Sequence, residues 1–358
     1  MLSGCSNGNP PSPQVSREAS GPGQVAGEDL SRDSARAVLA VHFLDVGQAD
    51  AILVCFPRGK TMLIDAGSND DGPAVVAYLK RQGIKKIDLL IGTHPHEDHI
   101  GGLDDVIEEF PIGKFYMPRV TNTTRTFEDV LLAARARGVK TTAAVAGLRL
   151  LEDRNLEVVL AAPCRSGYEE LNDYSAVTRV TYRNTSFLFT GDAGAESERE
   201  MLASGADLKA DVLKVGHHGS HDSSTDAFLK KVAPRFAVIS VGANNDYGHP
   251  HPETIAKLSA SGAQVYRTDR DGTLVFTSDG EGITLRETSS SARPGVRSPT
   301  APVIPAPGGQ DGYIGNLKSK KFHRPTCSSL PAPHNRVNFK TRDEALRANY
   351  LPCRNCKP

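Results

Sequence analysis

Three histidines and an aspartate fall within six positions of Thr93-His94-Pro95-His96-Glu97-Asp98-His99. The apolar run Ile87-Asp88-Leu89-Leu90-Ile91-Gly92 before them reads as a buried strand, and Gly101-Gly102 follows, so the cluster is expected on the loop at the strand's end. On a loop, side chains at i, i+2, i+4 and i+5 can turn toward two neighbouring metal ions, whereas a continuous helix or strand would splay some of them away. Imidazole nitrogen with carboxylate oxygen suits zinc, with manganese or iron as alternatives. A solvated histidine-rich loop is the plain alternative, and the ordered spacing weighs against it.

The elements that must hold this loop are legible as a rhythm. Strands are predicted over residues 38–45, 51–56 and 61–65, then a helix over 73–82 with Val75, Val76 and Leu79 on one side and Gly83 as its stop. Strands recur at 156–162, 177–182, 187–190, 212–215 and 236–240, and helices at 196–203, 225–232 and 252–261, with short strands closing the domain by 286. No element is assigned between 100 and 155. Ser220 opens a polar run expected to cap the helix at 225. Two sheets face to face with helices outside would bury all these apolar faces, so the predicted class is α/β with an αββα sandwich.

The chain has 358 residues, 39% of them hydrophobic, and no apolar stretch approaches the length of a membrane span. Its net charge is zero but unevenly placed: residues 313–358 hold ten Lys or Arg against two acids, a tail of +8 on a body of −8. The tail is therefore the natural contact for DNA or another polyanion. Six cysteines are too few for a disulfide scaffold, and Cys55 and Cys164 read as small buried hydrophobes. Leu2-Ser3-Gly4-Cys5 resembles the lipobox of bacterial lipoproteins, whose cysteine is lipidated, although only Met1 precedes it here. Either the true start lies upstream or the match is fortuitous. The expected organisation is a lipobox-like start and tether at 1–38, a hydrolase domain at 39–288, a Pro/Ser/Gly linker at 289–310 and a small module at 311–358. The expected location is the extracellular face of the membrane by lipid anchor, or secreted, and cytoplasmic if the lipobox is chance.

Ile64-Asp65-Ala66-Gly67, the His94 cluster, Thr190-Gly191-Asp192 and Gly216-His217-His218-Gly219-Ser220 together resemble the metallo-β-lactamase fold hydrolases. Phe43-Leu44-Asp45-Val46-Gly47-Gln48-Ala49-Asp50, Asp211-Val212-Leu213-Lys214-Val215 and Tyr247-Gly248-His249-Pro250 are similar, within them, to the soluble domain of the ComEC competence DNA-uptake family, with Ala49 where glycine is usual. The resemblance implies that His94 and His96 hold one metal, Asp98 and His99 a second, and Asp192 bridges them. It favours His218 as a further ligand, leaves His217 to orient the ligands or meet the substrate, and makes Asp65 a partner of a ligand histidine. His249 could donate to phosphate or protonate the leaving oxygen. His42 and His221 are expected to be structural or solvated. No histidine lies between 100 and 216, where β-lactamases, glyoxalases and lactonases of this fold place a third histidine for the first metal, and Leu171-Asn172-Asp173-Tyr174-Ser175 stands there instead. This implies a phosphodiesterase, most plainly a DNA nuclease, with two divalent ions (zinc or manganese). The rivals are a phosphodiesterase for small or cell-wall diesters, as in phosphorylcholine esterases, and a DNA-binding lipoprotein with a vestigial site.

His323-x3-Cys327 and Cys353-x2-Cys356, with the residues between, resemble the zinc-binding module of the Ada type, with His323 where the first cysteine is expected. Four such ligands imply a closed, structural zinc.

Overall fold

The structure, a computed structural model, describes residues 38–286, 312–327, 330–331, 335–348, 350–353, 356 and 358. Cys5, the tether up to residue 37 and the linker at 289–310 lie outside the described residues. Among the described residues no helix is long and apolar enough to cross a membrane.

β1 (Leu39–Phe43), β2 (Ile52–Cys55) and β3 (Thr61–Ile64) form an antiparallel meander, to which β4 (Ile87–Ile91), β5 (Ile112–Met117) and β6 (Thr141–Ala143) add in parallel. The second half repeats the plan. β7 (Arg149–Asp153), β8 (Leu156–Leu160), β9 (Thr178–Tyr182) and β10 (Thr185–Phe189) are antiparallel, and β11 (Val212–Lys214), β12 (Phe236–Ile239) and β13 (Gln264–Arg267) continue in parallel. β14 (Leu274–Ser278) and β15 (Ile283–Arg286) return to the first sheet beside β1, giving an eight-stranded sheet of order β15-β14-β1-β2-β3-β4-β5-β6 and a seven-stranded sheet of order β13-β12-β11-β10-β9-β8-β7.

Continuous apolar runs serve these strands because both faces are covered. In β3, Met62 and Ile64 enter the layer between the sheets with Phe43, Phe187, Phe189 and Phe276, while Leu63 turns to Val75, Leu79 and Leu103 on the helices Gly72–Arg81 and Leu103–Glu109. In β10, Phe187 and Phe189 face inward and Leu188 packs outward with Met201, Phe228 and Leu258. Three apolar layers thus hold four layers of structure, the αββα sandwich expected.

The stretch without assigned elements contains the helices Leu103–Glu109 and Arg125–Ala136 and the strands β5, β6 and β7. The helix expected from 225 is Asp226–Val232, and its cap is Thr225, whose Oγ1 accepts from the Phe228 amide at 3.4 Å, not Ser220.

β16 (Tyr313–Asn316), β17 (Lys321–His323), β18 (Arg336–Phe339) and β19 (Leu351–Pro352) make a four-stranded sheet beside the helix Arg342–Arg347. Its buried apolar cluster is Phe322, Phe339, Ala345 and Tyr350. So few residues cannot offset the ordering entropy of such a module, which calls for a staple.

Candidate metal centre

Parallel strands in both sheets send their carboxyl ends to one edge, the place where open α/β sheets assemble sites. β3 leads to Asp65, β4 to His94, β10 to Asp192 and β11 to His217 and His218. The expectation that the whole His94 cluster lies on a loop is corrected: His94 and His96 do, but Asp98 and His99 sit on the one-turn helix Glu97–Ile100. That helix lies flush on the turn at 66–72. A Cβ on Gly101 would come within 2.3 Å of the Asn69 backbone nitrogen, and one on Gly102 within 2.4 Å of the Ala66 carbonyl.

His99 is fully buried, and its Nδ1–H donates to Asp65 Oδ2 at 2.8 Å. Asp65, also fully buried, is held in turn by the Thr93 amide at 2.8 Å and the Thr93 hydroxyl at 2.7 Å. This orients His99 Nε2 toward Asp192 Oδ2, 3.1 Å away. His218 is fixed the same way: Nδ1–H donates to the Ser240 carbonyl at 2.8 Å, and Nε2 lies 3.3 Å from Asp98 Oδ2 and 3.5 Å from Asp192 Oδ2. The donor atoms of Asp98, His99, Asp192 and His218 all fall within 4.8 Å of one another. Beside them, His94 Nε2 and His96 Nδ1 are 3.0 Å apart, near the roughly 3.4 Å that two imidazoles on one tetrahedral zinc would show.

The turn bearing His217 and His218 is strained, with φ of +47° and +52° at two residues that carry side chains. Its supports are local. Ser223 Oγ donates to the Gly216 carbonyl at 2.9 Å, and the buried Glu198 carboxylate accepts from the amides of Ser224 at 2.5 Å and Thr225 at 2.8 Å.

His99 Nε2, His218 Nε2 and Asp192 Oδ1 are buried without a hydrogen-bond partner. Each such atom costs about 1–3 kcal/mol unless something satisfies it. Imidazole nitrogens and a carboxylate converging on one space are the donor set of a divalent cation, so the residues fit a metal.

The electrostatics show carboxylates that draw positive charge to this spot, whether a proton or a cation. Burial alone would lower His99, but the carboxylates of Asp192, Asp65 and Asp98 outweigh it and hold the ring well above the usual histidine range. Burial would raise Asp192, yet His99, His218 and Lys214 hold it well below the usual carboxylate range. Burial keeps His94 well below its ordinary value, leaving a neutral ring with a lone pair to give.

Two participants were not assigned from sequence. Asp50, 1% exposed, places Oδ2 2.5 Å from the ammonium of Lys214, which is 0% exposed, donates to the Gly191 carbonyl at 3.0 Å and lies 3.8 Å from Asp192 Oδ1. Asp50 Oδ1 has no hydrogen-bond partner and lies 3.7 Å from His218 Nδ1. The signal was a lysine inside the apolar run Val212-Leu213-Lys214-Val215, since a lysine in a buried strand must have a carboxylate partner.

The stretch standing where a third histidine would lie reaches the site by other means. Ser175 Oγ accepts the Asp192 amide at 3.0 Å and lies 3.4 Å from His94 Nδ1, and Asn172 Nδ2 lies 3.4 Å from His217 Nε2. His217 is partly exposed, with Nδ1 3.1 Å from the Asp222 carboxylate and Nε2 3.9 Å from Asp192 Oδ2. His249 is farther out, its ring centroid 5.5 Å from that of His217. Burial, then the neighbouring histidines, bring it down to about 4. His42 is structural as expected, buried with Nδ1 2.7 Å from the Tyr78 hydroxyl, and His221 is on the surface against His251.

In the small module, His323, Cys327, Cys353 and Cys356 bring donor atoms within 4.8 Å of one another. His323 Nδ1 is 3.4 Å from Cys327 Sγ, against about 3.6 Å for nitrogen and sulfur on one tetrahedral zinc, so this set fits a metal too.

Comparison with known proteins agrees with this geometry. The family model for the metallo-beta-lactamase superfamily matches residues 44–243, and that for the metal binding domain of Ada matches residues 310–358. ComE operon protein 3 of Bacillus subtilis is 33% identical over 254 residues, and competence protein ComA of Neisseria gonorrhoeae is 30% identical over 239. Each alignment covers 66% of this chain but 32% of the relative, so the chain spans about a third of the length of the curated relatives it matches. Among solved structures, the metallo-beta-lactamase fold protein YhfI from Bacillus subtilis aligns over 68% of this chain and 100% of its own, with 13% identity and a TM-score of 0.45. On the match over residues 44–243 and the metal-binding geometry that it encloses, the chain belongs to the metallo-beta-lactamase superfamily and carries an Ada-like metal-binding domain at its C-terminal end.

Proposed function

We propose that this metallo-hydrolase is a dinuclear phosphodiesterase whose substrate is DNA. The observation that carries the reading is the set Asp98, His99, Asp192 and His218 beside the His94–His96 pair, with Ser175 and Asn172 where a third histidine would complete the first site. Two divalent ions there would supply a hydroxide at neutral pH and positive charge for both the attacking and leaving oxygens of a displacement at phosphorus. The protein's own contribution is orientation and charge. Asp65 and the Ser240 carbonyl fix the rings of His99 and His218, and the Lys214 ammonium offsets the charge of Asp50 and Asp192. His217, braced by Asp222 and partly exposed, suits contact with a phosphate oxygen. His249, held at about 4, is neutral at pH 7, which favours hydrogen-bond donation over protonation of the leaving oxygen.

Lys320, Arg324, Arg336, Lys340, Arg342 and Arg347 are exposed on the module and support a polyanion as its partner. Lys318 is used otherwise: it is largely buried against Asp104 and Asp129 of the hydrolase domain. The lipobox-like start supports a chain held outside the cell by lipid. Incubation with plasmid and single-stranded DNA, in parallel with bis(p-nitrophenyl) phosphate, tests the assignment. Cleavage of both is expected. Cleavage of the small ester alone would replace DNA with small or wall-linked diesters, and DNA binding without hydrolysis of any diester would leave a binding lipoprotein with a vestigial site.

A further inference from the structure

Asp70 belongs to the hydrolase domain, on the turn between Asp65 and the helix Gly72–Arg81, yet its carboxylate faces the small module. Oδ1 accepts from Asn316 Nδ2 at 2.8 Å and from the Ser319 hydroxyl at 3.0 Å, and Oδ2 lies 3.3 Å from Lys321 Nζ. A fourth group approaches it. His323 is fully buried with Nδ1 toward the thiols, and its Nε2, which has no hydrogen-bond partner, is 4.0 Å from Asp70 Oδ1. Lys318, against Asp104 and Asp129, makes a second buried contact across the same boundary.

We propose that Asp70 is the outer carboxylate of the module's metal site, receiving the Nε2–H of His323 when Nδ1 binds the metal. Metal-ligating histidines regularly give their other N–H to a carboxylate, which fixes the tautomer and makes the bound nitrogen a better donor. Here the carboxylate comes from a different domain, so filling the module's metal site and docking the module onto the hydrolase domain are one coupled event. The orphaned Nε2 and the Asp70 carboxylate facing it carry the assignment, and the proposal rests on the module holding a metal. The docked turn at 66–72 also supports the helix of Asp98 and His99, so the contact reaches the edge of the metal centre.

Cobalt(II)-loaded full-length protein tests this, because of the two metal sites only the module's includes cysteines, so only its cobalt gives a thiolate-to-metal charge-transfer band. The rate at which that band is lost to excess EDTA is compared between wild type and Asp70→Asn, which keeps a hydrogen-bonding side chain without the charge. Loss about 10- to 100-fold faster in the variant is expected, together with faster amide hydrogen exchange over residues 66–72. Equal rates with the band intact would overturn the role of Asp70, and a wild type with no thiolate band would overturn the metal reading beneath it. Far-ultraviolet circular dichroism of the cobalt-loaded variant checks that it has folded.

Discussion

Replacing Lys214 by methionine removes the one ammonium in the buried lattice behind the metal centre. Its Nζ lies 2.5 Å from Asp50 Oδ2, with both side chains at most 1% exposed, and it also holds the Gly191 carbonyl at 3.0 Å. Burial would lower the lysine, but the carboxylates of Asp50 and Asp192 outweigh it and raise its pKa, so it is charged at any working pH. Methionine fills nearly the same volume and leaves the Asp50 carboxylate buried without its closest cation, with only the rings of His99 and His218 at 3.8 and 3.7 Å. Breaking a buried ion pair from one side costs about 3–5 kcal/mol, whereas removing both charges together costs much less. For the metal-free full chain, Lys214→Met should therefore lower stability by about 3–5 kcal/mol, or roughly 10 °C in Tm for a domain this size. Lys214→Met with Asp50→Asn should recover a good part of that loss. Urea unfolding followed by circular dichroism, run as a double-mutant cycle, measures the coupling directly. A single-variant cost below about 1 kcal/mol, or a double variant no better than the single, would refute the idea that this pair is a matched buried charge set.

Asp65→Asn should weaken metal binding at the His99 site by about 10- to 100-fold in chelator competition with little loss of fold, since His99 loses the carboxylate charge that fixes its tautomer and strengthens it as a donor; unchanged affinity would show that Thr93 and packing suffice. Glu198 offers a pH test. Burial raises its carboxyl from 4.5 to about 7 despite the amides that it accepts. A raised folded-state pKa means that its contribution is fully present below pH 4.5 and is lost as pH rises toward 7. Relative to Glu198→Gln, the native chain should therefore lose up to about 3 kcal/mol across that window in denaturant titrations, and a pH-independent difference would count against the shift.

How much of this was legible follows from how far apart the partners lie in the chain. The His94 cluster stood out because metal-binding residue types in tight spacing sit directly after an apolar strand signal, whereas Asp192 and His218 were singled out through the family resemblance. The two-sheet sandwich with outer helices followed from the same apolar rhythm. The stretch 100–155 was not assigned although a signal was there: Thr124 caps the helix Arg125–Ala136, whose buried Val130, Ala133 and Ala134 recur at helical spacing. Asp50 and Lys214 were hidden for a different reason. They pair across 164 residues, and nothing local to Asp50 marks it as buried. Asp70 and Asn316 meet across 246 residues, so the docking of the module could not be read from its charge, which suggested only an outside partner.

Metal content by mass spectrometry, with turnover of bis(p-nitrophenyl) phosphate on the same samples, tests the centre most directly when wild type is set against Asp98→Ala. The account predicts about three divalent ions in the wild-type chain, two in the hydrolase domain and one in the module, and a folded variant that keeps the module's ion, loses at least one of the others and no longer turns over. Wild-type metal content and undiminished turnover in Asp98→Ala would contradict it.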